Sequence, residues 1–308
     1  MASVWPFIRC IRRRSNNELL YRLKLFENNE VGKTTASNWI LLPLYPEDSG
    51  KEVRVRITPA YESVRNREMV FLVGSQIQIF LNQLRLDLPQ LLLSIFAIIV
   101  GLVFIGIAVY GMQKRKVDSN LVYLGLFSVL LGNWRLCDIR FSTLLFAESS
   151  VMLSYISLAM LLAAPVPLLR FLRSQFGERW HRLVDGVSLA SIAVSFLLLL
   201  LQFTGIADFR ETLSVSHGMI GLTAFVIAGI VLFEDTREDG DEKAGISLMW
   251  FLLCAAGVAA DLLSYYMNKT SAGVFYTLAA FLFYVVAMGI LSIRELNQKA
   301  YVDLHTTL

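Results

Sequence analysis

Charge is scarce in this chain. Asp, Glu, Lys and Arg together make up 17% of its 308 residues, where a soluble protein carries roughly a quarter. That scarcity excludes an ordinary water-soluble domain. Cysteine is scarcer still: Cys10, Cys137 and Cys254 are widely separated, which fits neither a disulfide framework nor a metal-ligand spacing. There is no P-loop, HExxH, CxxC or Gly-x-Ser-x-Gly pattern, so the commonest nucleotide, zinc and serine-hydrolase chemistries have no foothold. No internal repeat or pair of broken helices of the transporter kind is visible. A secretory leader is missing too, because MASVWPFIRCIRRRSNN places its arginines after a short apolar patch rather than before a long one.

Long apolar runs are what the sequence has instead. Hydrophobic residues make up 56% of the chain, and the mean hydropathy is +0.57. LLLSIFAIIVGLVFIGIAVYGM from Leu91 and FLLLLLQFTG from Phe196 are too continuous for a soluble core. Runs of this length cross a bilayer as helices, since lipid gives the backbone no other hydrogen-bond partner. The expected fold is mainly α and integral to a membrane: a bundle of seven transmembrane helices over residues 89–292, with spans at 89–111, 120–138, 151–173, 183–203, 216–233, 245–267 and 271–292.

Basic residues orient such a bundle, because Lys and Arg in short loops stay on the cytoplasmic side. With the N-terminus outside, eleven fall in cytoplasmic segments, including Lys114–Lys116, Arg170, Arg173, Arg179 and Arg182, against Arg140, Arg210 and Lys269 in outer loops. The stretch before the first span carries thirteen basic residues, which pulls the other way, but only Arg85 lies close enough to count. The expected localisation is a bacterial inner or plasma membrane, multi-pass, with the N-terminus outside and the C-terminus in the cytoplasm.

Residues 1–74 change character. In EVRVRIT, Val53, Val55 and Ile57 alternate with Glu52, Arg54 and Arg56, the period of a half-buried strand. YRLKLF at 21–26, NWILLPL at 38–44 and MVFLVG at 69–74 are further strand candidates, so a small β-rich extracytoplasmic segment is expected. Residues 75–88 predict an amphipathic connector helix, with Ile77, Phe80, Leu81 and Leu84 on one face leading to Pro89.

Ionisable residues inside spans are costly, which makes them candidate sites. Arg135 and Asp138 stand three residues apart and can pair. Asp261 precedes Tyr265 by one turn, His217 opens the fifth span, and the loop before it supplies Asp208, Arg210 and Glu211. All belong to the outer third of the expected bundle and could converge on one polar mouth, taking a small ligand or docking the outer segment. Interhelical pairs and interfacial anchors are the plainer reading. Pro165 and Pro167 mark a candidate hinge or static kink in the third span. The loop EDTREDGDEK, despite its GDE, reads as a solvated acidic link between spans.

This order of parts resembles the bacterial seven-transmembrane receptors with diverse intracellular signalling modules, especially those linked to a GGDEF diguanylate cyclase. NWILLPLYPEDSGKEVRVRITPAY and VGS are similar to the closing strands of that group's jelly-roll-like outer domain. SNLVYLGLFSVLLGNWRL, SYISLAMLLAAPVPLLRFLR and LQFTGIADFRETLSVSHGMI are similar to its membrane segments. Residues 293–308 look like a signalling helix entering a cyclase domain: in KAYVDLHTTL, Asp303, Thr306 and Leu308 match the Asp-x-Leu-Thr-Gly-Leu opening, while His305 and Thr307 depart from it.

The resemblance implies a receptor that relays an outer signal to a cyclase making cyclic di-GMP, as a homodimer coupled through its C-terminal helix. The partners implied are membrane lipid and an unidentified outer ligand, with no nucleic acid. Metal- and nucleotide-binding residues of the cyclase would lie beyond Leu308. The chain therefore reads as truncated at both ends, with no enzymatic activity of its own and no cofactor. A small-solute transporter or channel with a polar outer mouth is the alternative reading. An intramembrane enzyme lacks a paired constellation at membrane depth.

Overall fold

The computed structural model describes residues 8–13, 18–22, 42–46, 49, 52–57, 71–113, 120–146, 149–209, 211–235, 249–250, 252–261, 263 and 274–306. It is mainly helical.

Three short strands precede the helices: β1 (Ile8–Arg13), β2 (Glu18–Arg22) and β3 (Glu52–Ile57). They pair antiparallel in the order β2-β1-β3, with Cys10 opposite Tyr21 on one side and Val55 on the other. Of the expected strands, EVRVRIT is realised as β3 over Glu52–Ile57, and Tyr21 and Arg22 of YRLKLF belong to β2, its remaining residues lying outside the described ones. Residues 71–74 of MVFLVG and 42–44 of NWILLPL are irregular. Val55, expected to face a core, is 37% exposed. The described residues thus give one small sheet and no β-rich domain.

The helices are α1 (Gln76–Gln113), α2 (Asn120–Asp138), α3 (Arg140–Leu145), α4 (Ser150–Ala163), α5 (Pro165–Arg173), α6 (Glu178–Phe203), α7 (Leu213–Asp235), α8 (Leu252–Asp261) and α9 (Phe275–Thr306). Five stretches among the described residues are long and apolar enough to cross a membrane: Gln76–Met112, Ser150–Arg173, Glu178–Phe203, Leu213–Phe233 and Phe275–Arg294. The expected second span is present as α2, but Asn133, Arg135 and Asp138 make its last turns polar, and it is not one of the five. The expected sixth span is described over the ten residues of α8 and a few neighbours.

Connector and first span form one helix. Ser75 and Gln78 make a reciprocal capping box, each side chain accepting the other's backbone N–H at 3.2 and 3.3 Å, and this starts α1 well before Pro89. The 38 residues then run unbroken past the proline. At 1.5 Å per residue α1 is roughly 57 Å long, nearly twice the hydrocarbon core it would cross. On its expected apolar face Ile77 is 71% exposed and Leu81 46%, while Phe80 and Leu84 are half-buried. Gln83, Asp87, Gln90 and Ser94 form the face turned to the bundle, and Gln83 and Ser94 are buried.

α2 is the central helix, with Leu121, Leu124, Phe127 and Leu131 buried in the main core. Against α1 it packs backbone to backbone. A Cβ on Gly101 would stand 2.5 Å from the Gly125 carbonyl oxygen, and one on Gly125 would stand 2.6 Å from that of Gly101. The Ser128 hydroxyl donates to the Ala97 carbonyl at 2.7 Å across the same seam. Such close approach through small residues is how helices associate where lipid removes the hydrophobic driving force. Phe127 meets Phe281 of α9 edge-on, with ring centroids 5.7 Å apart.

The third expected span is divided at Ala164 into α4 and α5, with Pro165 and Pro167, which cannot donate helical hydrogen bonds, at the start of α5. Both prolines are buried. In the same turn the Leu162 carbonyl accepts the Ser195 hydroxyl of α6 at 3.0 Å.

Candidate functional site

Of the polar residues singled out from sequence, Arg135, Asp138, Asp208, Glu211, His217 and Asp261 lie at one end of the bundle, where α2, α6 and α8 finish and α4, α7 and α9 begin. The order of contacts fixes this: the Arg135 side chain meets Gln90, Tyr155 meets Phe209, and Asp261 meets Tyr276.

Arg135 is the centre. It lies in the last turn of α2 and is only 7% exposed. Its Nη1 donates to Asp138 Oδ2 at 2.5 Å, the intrahelical pair expected from the sequence. Nη2 donates to the Gln90 Oε1 of α1. Asp87 and Asp261 also act on the guanidinium through their charge. Asp138 is half-exposed, so the pair is closed toward the core and open at the end of the bundle.

Each surrounding carboxylate has structural work as well. Asp87 Oδ2 accepts the Gln83 amide and the Phe141 backbone N–H, both at 2.8 Å, and so ties α3 to α1. Phe80 stacks edge-on with Phe141 beside this link, at 4.9 Å. Asp261 accepts the backbone N–H groups of Tyr276 at 3.2 Å and Thr277 at 2.6 Å. Those are two of the amides that the first turn of α9 leaves without helical partners, so α8 caps α9 from outside it. A cleft of about 140 Å³ lined by Gln76, Ile79, Phe80, Leu144 and Leu145 lies between the start of α1 and α3. It is smaller than the several hundred Å³ of a typical small-molecule pocket.

Asp208 and Glu211 belong to the turn between α6 and α7. Gly205, at φ 68°, adopts the left-handed conformation that ends α6. The Asp208 N–H donates to Glu211 Oε2 at 3.1 Å, and the Asp208 carbonyl accepts the N–H groups of Glu211 and Thr212. Gln202 Oε1 accepts the Phe209 N–H at 2.6 Å. Asp208 is buried and Glu211 exposed. His217 is exposed near the start of α7.

The structure therefore brings Arg135, Asp138 and Asp261 together and holds Asp208 and Glu211 in a turn built by other elements. Arg210, Tyr265 and Leu308 lie outside the described residues, while Asp303 and Thr306 sit on the last turns of α9. Sequence reasoning missed Gln83, Asp87 and Gln90. Their spacing of four and three residues, a polar stripe beside Phe80 on one side of the helix, was the signal that could have found them.

Among the described residues, no group of three or more His, Cys, Asp or Glu side chains is placed to hold a metal ion. Comparison of the chain with protein-family models, with characterised proteins and with solved structures finds no match.

Proposed function

We propose that the chain is the membrane-embedded sensory part of a receptor, similar in plan to the seven-transmembrane receptors linked to GGDEF cyclases. In this reading α2 and the helix containing α8 complete a seven-helix bundle. The N-terminus and its small sheet lie outside, and α9 carries the signal to an output domain that follows it or is supplied by another chain.

One observation carries the proposal. α1 and α9 run parallel through the bundle, and at 38 and 32 residues each is longer than a bilayer core requires. α1 extends on the side of Arg135, while α9 continues past Arg294 to Thr306 at the other. They touch midway, where the backbone of Gly289 lies against the Phe104 ring and leaves no room for a Cβ. The Arg135 cluster joins the outer ends of the same helices, with Gln90 and Asp87 on α1 and Asp261 on the cap of α9. A ligand or docked segment that displaced Asp138 or Asp261 would act on both rods at once. Two protomers coupled through their α9 extensions would then align paired output domains.

The test fuses a cyclase catalytic domain after Leu308 and compares cyclic di-GMP formation in the unaltered fusion, R135Q and D261N. The expected result is a change of about fivefold or more in each variant, the scale of an ordinary coupling energy. Unchanged output in both, together with solute flux through proteoliposomes of the unfused chain, would replace the receptor reading with that of a transporter.

A further inference from the structure

Ser94, Ser128, Ser157 and Thr223 are buried, and each hydroxyl donates to a backbone carbonyl oxygen at 2.7–3.2 Å. Ser188 and Ser191 of α6 depart from that pattern. They are 0% and 1% exposed, and neither hydroxyl has a hydrogen-bond partner among the described residues. Both turn away even from the carbonyls four residues back in their own helix, which Ser94 and Thr223 use. A buried polar group left unpaired bears its full desolvation cost, so two such hydroxyls side by side call for a partner.

The division between α4 and α5 supplies acceptors opposite them. The Ala164 N–H still donates to the Met160 carbonyl at 3.0 Å, so the helical pattern persists to that residue. The next three carbonyls would take the N–H groups of residues 165, 166 and 167, and the prolines at 165 and 167 have none. The Leu161 and Ala163 carbonyls therefore lack the helical donor four residues on, while that of Leu162 between them accepts the Ser195 hydroxyl. Ser188 stands seven residues before Ser195 and so on the same face of α6. Arg170 and Arg173 of α5 pair with Asp185 at one end of this seam, and Leu162 meets Ser195 at the other. Ser188 and Ser191 lie between those two fixed points, at the level of the prolines.

We propose that the division between α4 and α5 is a binding site for internal water. Water molecules there donate to the Leu161 and Ala163 carbonyls and accept from the Ser188 and Ser191 hydroxyls, which gives them the several polar partners that a buried water needs. Ordered water and serine side chains are among the groups that satisfy backbone freed by proline in membrane helices. The water extends along the seam the direct bond that Ser195 makes to Leu162. A sodium ion would use the same oxygens, but Arg170 and Arg173 share a single carboxylate on the neighbouring turn of α6 and disfavour a further cation. The proposal stands apart from the receptor reading.

The experiment compares the unaltered full chain with S188A and S191A by thermal unfolding in a fixed detergent. It also locates water by X-ray footprinting, in which hydroxyl radicals form from water where it is bound. Each alanine is expected to lower the unfolding midpoint by about 2 °C, the shift for one net hydrogen bond in a chain of this size. Without bound water, alanine removes an unpaired hydroxyl and raises the midpoint instead. In a P165A/P167A background, where both carbonyls regain a helical N–H, the same serine substitutions should lose their cost. Footprinting of the unaltered chain should oxidise Leu162 and Pro165 despite their burial and leave the buried Leu124 and Leu278 unlabelled. A raised or unchanged midpoint in either serine variant, a cost that persists in the P165A/P167A background, no label at Leu162 and Pro165, or a midpoint that requires sodium rather than potassium would overturn the proposal.

Discussion

Asp261 caps a helix to which it does not belong: its Oδ2 accepts the Thr277 N–H at 2.6 Å, and its Oδ1 accepts that of the neighbouring Tyr276. Alanine at 261 leaves two amides of α9 without partners and costs about 1–2 kcal/mol, while asparagine, which keeps one acceptor, costs less. Thermal unfolding in a fixed detergent should rank the proteins wild type, D261N, D261A. Equal stability of all three would mean that the cap is not formed.

Arg135 joins α1 and α2 through a buried guanidinium. Removing it leaves Asp87 and Asp261 facing a lost positive charge. R135A is expected to destabilise the bundle by about 2–4 kcal/mol, toward the lower part of the range for broken buried pairs because Asp138 is half-exposed. R135K should recover only part of this, since an ammonium cannot reach Asp138 and Gln90 with the planar fork of a guanidinium. Full recovery by lysine would show that charge alone matters.

Gly101 and Gly106 separate packing from propensity on one helix. A Cβ at Gly101 meets the Gly125 carbonyl, whereas at Gly106 nothing lies within 4 Å. G101A therefore forces α1 and α2 apart and costs about 1–3 kcal/mol. G106A meets no obstacle and gains up to about 1 kcal/mol of helix propensity. Unfolding midpoints that move in the same direction would contradict the close approach of these helices.

Much of this fold is legible in the apolar runs, because a bilayer imposes length and continuity on anything that crosses it. The pair Arg135–Asp138 is also legible, being local to one helix. The facing of α1 is not. Ile77 and Leu81 mark a core-facing stripe when water is the solvent and an outward one when lipid is. Only the partners of Gln83, Asp87 and Gln90 decide between them. The role of Asp261 is equally hidden, since its amides lie fifteen and sixteen residues away in the sequence. Periodicity likewise proposes strands in MVFLVG and NWILLPL, where the chain gives irregular backbone at 71–74 and 42–44.

In the proposed receptor, a change at the Arg135 end travels along α9 to its far turns. Hydrogen exchange in proteoliposomes tests it directly, by comparing the amides of residues 295–306 in the unaltered chain and in D261A. Altered exchange is expected in those last turns, which start eighteen residues beyond the lost cap at Thr277. Altered exchange confined to the first turns of α9, with 295–306 unchanged, would contradict it.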